Sequence, residues 1–373
     1  MSGVGKNNAS LEPHNTLKLQ SQASTLVELN KHDQLDGVFE YAKDLNLSVV
    51  PLGEGSNVVL GEHIEALVLI VNTQGIKVLD TTDNAVYVDV AAGENWHDFV
   101  VHCVELGWHG LENLALIPGK VGAAPIQNIG AYGVEIAPLI ERIYLAPLPG
   151  SELDVDPNLQ GVLQRTDDGN LFIAAGDCQF AYRNSIFKKA LRDKVLITSV
   201  LFKLGTRFKP VLTYPALRDY LSAQANGLQP DQASVTATDV MNAVISIRRT
   251  KLPDPAELPN AGSFFKNVVL DDEQFDVFVK RHPHAPYYAQ PLAGIDQSIQ
   301  YKIPAAWLIE QCGFKGIYDG NLGMHNQQAL VMVNRAAGRT QGDAVIAFAE
   351  RIQQTVAEWF GVRLEIEPRC YAC

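Results

Sequence analysis

The stretch PNAGSFFKN, from Pro259 to Asn267, places a single hydroxyl, that of Ser263, between a glycine and two phenylalanines. Taken alone, this pattern predicts a turn that leads into a buried strand. A serine hydroxyl is a weak acid in water, but it can protonate a basic carbanion when the two are held in contact and water is excluded. Whether Ser263 does chemistry therefore depends on what the rest of the chain supplies.

A glycine turn offers a place for a phosphate. PLGEGSN, from Pro51 to Asn57, puts Gly53 and Gly55 directly after a predicted strand. Glycine lets backbone N–H groups approach an anion without a Cβ in the way. The spacing is neither GxGxxG nor GK[ST], so on its own the pattern is more typical of a tight turn than of a phosphate site.

A second glycine-rich stretch, PGKVGAAPIQNIGAYG from Pro118 to Gly133, has almost no bulky side chains, and Gln127 and Asn128 are its only amides. Such a stretch cannot form a core by itself. We expect it to lie against a large flat ligand that supplies the missing volume, with backbone groups hydrogen-bonding to ring and phosphate. The alternative is a glycine-rich crossover loop, and two such stretches in one lobe make it the weaker interpretation.

The elements that must position these residues are strands mixed with helices. Apolar spacing predicts helices from Leu35, around Trp96, over 236–249 and from Asp343 as N-cap. The last of these is expected to bury Val345, Phe348, Ala349, Ile352, Val356 and Trp359. Alternation predicts a half-buried strand in AVYVDVAAG, LSVV predicts a strand that Pro51 ends, and VRLEIEPRC predicts a closing strand. The pattern indicates α+β or α/β lobes, with a boundary near the proline-rich KLPDPAELPN.

Composition limits the class of protein. The 373 residues suit two or three lobes, and 47% hydrophobic with 19% charged residues is typical of a folded chain. The net charge of -12 argues against general binding to nucleic acid or anionic lipid. The first residues lack the apolar core of a secretory signal and no run is long enough to span a bilayer, so we expect a cytoplasmic protein. Five scattered cysteines predict reduced thiols. The terminal CYAC is more typical of surface cysteines without a function than of a redox or metal site.

Five motifs, in order and at their separations, resemble those of the UDP-N-acetylenolpyruvoylglucosamine reductases, also called UDP-N-acetylmuramate dehydrogenases. They are PLGEGSN, LENLALIPGKVGAAPIQNIGAYG, YRNSIFK, PNAGSFFKN and LEIEPR, and the likeness runs from about His14 to Arg369. The resemblance implies an FAD enzyme that uses NADPH to reduce the enolpyruvyl ether of UDP-N-acetylglucosamine enolpyruvate to UDP-N-acetylmuramate in peptidoglycan precursor synthesis. VLTYPAL around Tyr214 resembles the tyrosine loop of the longer of the family's two types.

The resemblance also implies the fold class, α+β: a two-subdomain FAD-binding lobe of the vanillyl-alcohol-oxidase (PCMH) type and a C-terminal α+β substrate-binding domain. We expect a flexible tail over 1–13, the FAD-binding domain over 14–205 with its subdomains split near residue 75, the tyrosine loop and connecting helix over 206–250, and the substrate domain over 251–373. The expected partner is a small-molecule substrate, with no nucleic acid, no membrane and no metal, and the protein is expected to be a monomer.

Binding residues are carried over from the matching motifs. Cofactor contacts are expected at Pro51, Gly53, Gly55, Ser56, Asn57, Pro118, Gly119, Gly122, Ala123, Gln127 and Asn128. Substrate contacts are expected at Tyr214, Lys251, Asn267 and Gln328. The alternatives are structural: Tyr214 as a core aromatic, Lys251 as a solvated charge and Gln328 on a hidden face.

The implied reaction assigns three catalytic residues. Hydride added to the terminal carbon of the enolpyruvyl ether leaves negative charge on the adjacent carbon, delocalised into the substrate carboxylate. The resemblance implies that Arg183 holds this carboxylate, that Ser263 is the proton donor and that Glu367 is the catalytic glutamate. Glu365 would share a strand face with Glu367, so the choice between them rests on register, and Pro368 puts the pairing of that strand in doubt.

The sequence leaves three other functions to compare with this one. An FAD oxidase on the same binding lobe would carry flavin tethered through a histidine or cysteine. A sugar-nucleotide or flavin-binding module would bind ligand without consuming NADPH. A metal hydrolase is disfavoured, because the close pair His282 and His284 is split by a proline and has no nearby third ligand.

Overall fold

The computed structural model describes residues 5–153, 156–224, 234–291 and 299–372. The chain divides into two compact units. Within the described residues, the first unit takes 5–9, 23–54 and 65–250, and the second takes 10–22, 55–64 and 251–372. Two short early segments therefore belong to the second unit, which the predicted division at 205 and 250 did not anticipate. Cys373 of the CYAC motif lies outside the described residues.

Helices and strands alternate irregularly along the chain. The described α-helices are α1 Leu35–Asp44, α2 Trp96–Glu105, α3 Pro215–Gln224, α4 Ala237–Lys251, α5 Asp272–Arg281, α6 Ala305–Gln311 and α7 Gly342–Phe360. The described strands are β1 Lys6–Ser10, β2 Gln22–Leu29, β3 Ser48–Leu52, β4 Val58–Leu60, β5 His63–Val71, β6 Ile76–Thr81, β7 Ala85–Ala91, β8 Gly130–Ala131, β9 Val134–Glu135, β10 Ile140–Pro147, β11 Leu163–Arg165, β12 Leu171–Ala174, β13 Val195–Gly205, β14 Asn260–Ser263, β15 Val268–Leu270, β16 Tyr288–Pro291, β17 Ile299–Ile303, β18 Tyr318–Asp319, β19 Leu322–Met324, β20 Val331–Asn334 and β21 Arg369–Tyr371.

Two sheets dominate the first half of the chain. A four-stranded sheet has the order β1-β2-β5-β3, and a six-stranded sheet has the order β11-β12-β10-β13-β7-β6. The valines at 86, 88 and 90 on β7 are at most 2% exposed, whereas Tyr87 and Asp89 between them are half-buried. The predicted alternation of this strand is therefore confirmed, and its apolar face packs on the core of the first unit.

Two expectations for the start of the chain are wrong. The tail predicted over 1–13 is ordered from Lys6, because β1 pairs at the edge of the first sheet. Pro51 does not end its strand, because β3 continues through it to Leu52. β3 is the other edge strand of that sheet, where a proline can do without a backbone N–H.

The second unit contains smaller sheets around α7. One four-stranded sheet has the order β14-β20-β19-β18, a three-stranded sheet has the order β15-β17-β16, and β21 pairs in parallel with β4. The core of this unit includes Phe264 and Phe265, which follow Ser263, and both are fully buried. The two phenylalanines therefore anchor the chain immediately beyond the candidate proton donor.

The structure corrects two predictions for the last helix and the closing strand. Gln341, not Asp343, is the N-cap of α7, and Phe360 is buried where Trp359 was expected, since Trp359 is 59% exposed. The closing strand is short and starts at Arg369, after Pro368, so the proline does not interrupt its pairing with β4. Among the described residues, no helix is long and apolar enough to cross a membrane.

Candidate active site

The stretch from 116 to 133, called the small-residue segment below, is fixed by unusual backbone geometry. Leu116 has a left-handed φ of 59°, and a 3-10 helix over Val121–Gln127 ends at Asn128 with a φ of 46°. Left-handed backbone is costly for a branched side chain such as leucine and persists only where surrounding contacts enforce it. The small-residue segment therefore has a defined backbone conformation that its surroundings maintain.

Glu54 fixes the first part of the small-residue segment. Its carboxylate accepts hydrogen bonds from the Gly119 backbone N–H at 2.8 Å and from the Asn95 side chain at 2.7 Å. The Gly119 carbonyl in turn accepts from the N–H of Trp96, the first residue of α2. Both backbone groups of Gly119 are thus used within the first unit, so its predicted cofactor contact could not be made through its N–H.

Several glycines of the segment are required by packing within the protein. A Cβ on Gly122 would lie 2.5 Å from the Cβ of Ala92, and one on Gly133 would lie 2.5 Å from the Thr213 hydroxyl. Real Cβ atoms do not approach other atoms this closely, so only glycine fits at these positions. Neighbouring backbone and side chains therefore fill part of the volume that the sequence left to a ligand.

The side chain of Asn128 is held by hydrogen bonds within the first unit. Its side chain is 1% exposed, donates to Glu135 at 2.8 Å and to the Ala181 carbonyl at 3.3 Å, and accepts from the Ala137 N–H. An asparagine side chain has two N–H donors and two acceptor lone pairs, so both donors and one acceptor site of this buried amide are used within the protein. Asn128 holds the left-handed end of the 3-10 helix instead of facing a cofactor with its side chain.

The outer side of the segment fits a flat apolar ring. Pro118, Ala123 and Ile126 are exposed, and Ile126 reaches 39%. Small apolar side chains held on a rigid backbone suit the face of an isoalloxazine ring, whose polar edge can then meet backbone groups. Gln127 is half-buried on the same 3-10 helix. These residues fit the flavin of FAD.

Two guanidinium groups bind carbonyls at opposite ends of the segment. Nη2 of Arg183 donates to the Gly130 carbonyl at 2.9 Å, and Nε of Arg248 on α4 donates to the Leu116 carbonyl at 3.2 Å. Burial lowers the pKa of Arg248, Tyr132 opposes the lowering, and Arg183 adds to it. Arg183 also has a left-handed φ of 51°. Two neighbouring half-buried cations make this a favourable place for an anionic group.

Two tyrosines lie beside these arginines. The rings of Tyr132 and Tyr214 meet edge to face with centroids 5.0 Å apart. Tyr214 is 43% exposed, so it is not a core aromatic, and burial raises the pKa of Tyr132. The buried amide of Asn113 fixes this corner, because it donates to the carbonyls of Tyr132 and Val211, both at 2.9 Å.

The first glycine turn has its own steric requirements. Gly53 is half-buried and a Cβ there would lie 3.2 Å from the Lys120 side chain. Gly55 has a φ of 65°, and a Cβ there would lie 2.1 Å from the His14 carbonyl oxygen. Ser56 and Asn57 form the turn before β4. The turn is therefore tight for structural reasons, whatever it binds.

In the second unit, Ser263 is the last residue of β14 and is half-buried. The register of β14 against β20 shifts between Asn260 and Ser263, and Gly262 within this irregularity has a φ of 68°. The Gly262 N–H donates to the Asn260 side chain at 2.9 Å, and nothing lies within 4 Å of a Cβ built on Gly262. The irregularity re-aims the strand at Ser263 and leaves open space beside it.

The two glutamates of LEIEPR have different environments. Glu367 is 8% exposed and its N–H donates to the Phe264 carbonyl at 2.9 Å, so it adjoins the residue after Ser263. The Glu365 side chain is 70% exposed and pairs with Lys266 at the surface. Ile366 between them forms an antiparallel bridge with Phe265, flanked by the hydrogen bonds from the Lys266 N–H to Glu365 and from the Glu367 N–H to Phe264, so burial and not strand face distinguishes the two glutamates. The geometry favours Glu367 as the functional carboxylate.

The predicted substrate residues are distributed over both units. The Asn267 side chain accepts from the N–H of Ala305 at the start of α6. Gln328 lies in the loop before β20, and Leu330 in that loop accepts from the Phe264 N–H through its carbonyl. Backbone hydrogen bonds of Phe264 thus link the strand of Ser263 to Glu367 and to the loop that contains Gln328. Asn267 is linked to α6 through its side chain. Lys251 is exposed at the end of α4.

Sequence reasoning missed four residues that hold the site together: Glu54, His97, Asn113 and Arg248. Glu54 and Asn113 stand inside the motifs PLGEGSN and LENLALIPG, and Arg248 stands three residues before Lys251. Their contacts depend on tertiary geometry, which spacing along the chain does not reveal. Among the described residues, no cluster of three or more histidines, cysteines, aspartates or glutamates could hold a metal ion.

Comparisons with known proteins identify the family of the chain. Residues 254–371 match the family model described as UDP-N-acetylenolpyruvoylglucosamine reductase, C-terminal domain, and residues 23–145 match an FAD binding domain. The chain is 41% identical over 358 residues to a UDP-N-acetylenolpyruvoylglucosamine reductase of Chromobacterium violaceum, covering 96% of each chain. It is 43% identical over 354 residues to the protein of that name from Bordetella pertussis, covering 95% of this chain and 92% of that one.

Among solved structures, the fold is similar to that of UDP-N-acetylenolpyruvylglucosamine reductase from Thermus caldophilus, with a TM-score of 0.59, 18% identity and 97% of each chain covered. At this identity the likeness concerns the fold alone, and it confirms the predicted α+β class. The identities above 40% over nearly the whole length decide the family. The chain belongs to the UDP-N-acetylenolpyruvoylglucosamine reductase family, and the part that matches an FAD-binding domain, residues 23–145, lies in the first unit except for residues 55–64.

Proposed function

We propose that this protein reduces the enolpyruvyl ether of UDP-N-acetylglucosamine enolpyruvate to UDP-N-acetylmuramate, with FAD as cofactor and NADPH as hydride donor. The observation that carries the proposal is the local geometry of the second unit. A buried glutamate, Glu367, is hydrogen-bonded through its backbone to the residue that follows the candidate acid Ser263. This hydrogen bond places the backbone of Glu367 against that of the residue after Ser263, which supports a shared role for the two residues.

When bound and reduced, FAD supplies the hydride that is added to the terminal carbon of the substrate. The adjacent carbon then carries negative charge, shared with the substrate carboxylate. Ser263 donates its proton to that carbon, and the open space beside Gly262 admits the enolpyruvyl group. The buried phenylalanines after Ser263 keep its strand in place, which limits the motion of the donor.

The negative charge of the substrate carboxylate requires a positively charged group of the protein. Arg183 is proposed to hold the substrate carboxylate, because a planar guanidinium group can pair with both carboxylate oxygens. Its left-handed backbone and its bond to Gly130 fix the direction of the side chain. Glu367 is proposed as the catalytic glutamate, because its low exposure strengthens electrostatic interactions.

The remaining binding roles follow the residues already described. Backbone and side chains at Pro51, Gly53, Gly55, Ser56, Asn57, Pro118, Gly119, Gly122, Ala123 and Gln127 are proposed to surround FAD, with the qualification that Gly119 and Gly122 also serve internal packing. Tyr214, Lys251, Asn267 and Gln328 are proposed to contact the UDP part of the substrate. The protein is proposed to act as a monomer in the cytoplasm, without nucleic acid.

Steady-state kinetics tests the proposal. The purified protein should consume NADPH only when UDP-N-acetylglucosamine enolpyruvate is added, and mass spectrometry should find UDP-N-acetylmuramate as product. Non-covalent flavin should be released on denaturation. A protein that binds the sugar nucleotide and flavin but consumes no NADPH would be a binding module, and covalently tethered flavin would favour the oxidase alternative.

The two glutamates provide a matched pair of variants. Glu367→Gln should lower kcat by about a hundredfold or more, as expected for loss of a catalytic acid, base or electrostatic group. Glu365→Gln should leave kcat near that of the parent, because the Glu365 side chain is at the surface. Loss of kcat in the Glu365 variant with a normal Glu367 variant would reverse the assignment.

A further inference from the structure

His97 lies at the second position of α2 and contacts the small-residue segment directly. Its Nδ1 accepts a hydrogen bond from the Leu116 backbone N–H at 3.2 Å. The carbonyl of Leu116 accepts from Nε of Arg248 on α4, also at 3.2 Å. Both backbone groups of this one residue are therefore held by side chains from two different helices.

Leu116 is where such support is needed. Its φ of 59° is a conformation that costs a non-glycine residue of the order of 1–3 kcal/mol and persists only if its surroundings enforce it. Leu116 stands two residues before Pro118, where the exposed apolar side of the segment begins. The direction in which the chain leaves Leu116 thus sets the position of the surface that fits the flavin ring.

We propose that His97 is a positioning residue for FAD binding: Nδ1 of its imidazole holds Leu116 in the left-handed conformation and so places the small-residue segment against the flavin. The inference rests on the proposed place of FAD in the first unit. His97 itself is assigned no contact with cofactor or substrate.

The contact depends on the protonation of His97. Nδ1 can accept from an N–H only in the neutral ring with its proton on Nε2. Burial lowers the pKa of His97, Asp98 on its own helix raises it, and Arg249 and Arg248 on α4 lower it further. The neutral form is thus the stable one at neutral pH. As the pH falls below the ordinary value of about 6.5 and through the lowered pKa, protonation removes the acceptor and weakens the support of Leu116.

Three variants separate this role from a general structural one. His97→Leu removes the acceptor, and His97→Asn keeps an oxygen near the position of Nδ1 but cannot titrate. His102→Asn, one and a half turns along α2, is the matched control, because His102 packs edge to face on Trp108 and not on the segment. FAD dissociation constants are measured by flavin fluorescence from about pH 7.5 down to about pH 4.5, a range that extends about two units below the ordinary histidine value because the pKa of His97 is lowered.

The parent should bind FAD more weakly as the pH falls. His97→Leu should raise the FAD dissociation constant about 3- to 10-fold at the upper pH, the value of one neutral hydrogen bond. His97→Asn should stay close to the parent at that pH and lose most of the pH dependence, and His102→Asn should behave like the parent. A His97→Leu protein with parental FAD affinity, or a His97→Asn protein with parental pH dependence, would overturn the inference.

A second measurement does not depend on FAD. Amide hydrogen exchange in the cofactor-free protein should be faster over residues 114–118 in His97→Leu than in the parent, and close to the parent in His97→Asn. Unchanged exchange in His97→Leu would overturn the positioning role even if the proposed function is correct. If the parent binds no FAD while exchange behaves as expected, the proposed place of FAD fails and the support of Leu116 stands.

Discussion

Replacing Asn113 with leucine should loosen the corner of the first unit where Tyr132 and Tyr214 meet. Asn113 is 3% exposed, and its one amide group spans two segments by donating to the carbonyls of Tyr132 and Val211 at 2.9 Å each. Leucine has similar volume but no donor. The variant therefore removes two hydrogen bonds while it keeps most of the packing.

The magnitude follows from the two acceptors left behind. A buried acceptor without a partner costs about 1–3 kcal/mol, which for two carbonyls sums to about 2–6 kcal/mol. Tyr132 and Val211 are both half-buried, so water can reach part of these groups. We expect the free energy of unfolding of the cofactor-free protein to fall by about 2–3 kcal/mol, the lower part of that range.

Urea unfolding and hydrogen exchange measure this together. The unfolding midpoint should fall, and exchange should speed up in peptides covering 130–136 and 209–214 more than elsewhere in the first unit. Asn242→Leu on the exposed side of α4 is the control and should stay within about 0.5 kcal/mol of the parent, as surface substitutions usually do. A change below about 1 kcal/mol in Asn113→Leu, or faster exchange spread evenly over the unit, would refute the reasoning.

Three further predictions concern the same unit. Gly122→Ala adds a Cβ 2.5 Å from that of Ala92, so the free energy of unfolding in urea should fall by about 1–3 kcal/mol, and an unchanged midpoint would contradict the packing described. Glu54→Gln replaces a charged acceptor by a neutral amide, which should raise the FAD dissociation constant about tenfold while the exposed Glu65→Gln does not, and equal values for the two would count against the role of Glu54. Burial raises the pKa of Cys178 to about 12, so at pH 8 thiol reagents should label it, as located by mass spectrometry, only after unfolding, and rapid labelling of the native protein would contradict this.

Local patterns predicted much of the fold. The alternation of β7 and the apolar spacing of α1 and α2 determine their buried faces, because each pattern has only one face that can be removed from water. The same reasoning failed at the end of α7, where Trp359 and Phe360 both fit a helical stripe and only tertiary packing decides which is buried. It also failed at β1 and β3, whose edge positions in the sheet are not visible in the sequence.

The sequence motifs named the candidate site residues, but they did not show how those residues are arranged in space. The sequence could place Glu365 and Glu367 only by register, whereas their burial separates them in the structure. The resemblance implies a cofactor contact at Asn128, and the sequence did not show that its side chain makes three hydrogen bonds within the protein. Glycine content alone could not distinguish close backbone packing from close approach of a ligand, and both requirements act on the same segment.

The most direct test of the central claim is an anaerobic single-turnover experiment on Ser263→Ala, with the two half-reactions followed separately by the flavin spectrum. NADPH should reduce the variant at the parental rate, because Ser263 is assigned no part in that step. Reoxidation by UDP-N-acetylglucosamine enolpyruvate, with formation of UDP-N-acetylmuramate, should be about a hundredfold to ten-thousandfold slower than in the parent, the usual contribution of a general acid. Reoxidation and product formation at the parental rate would contradict the account.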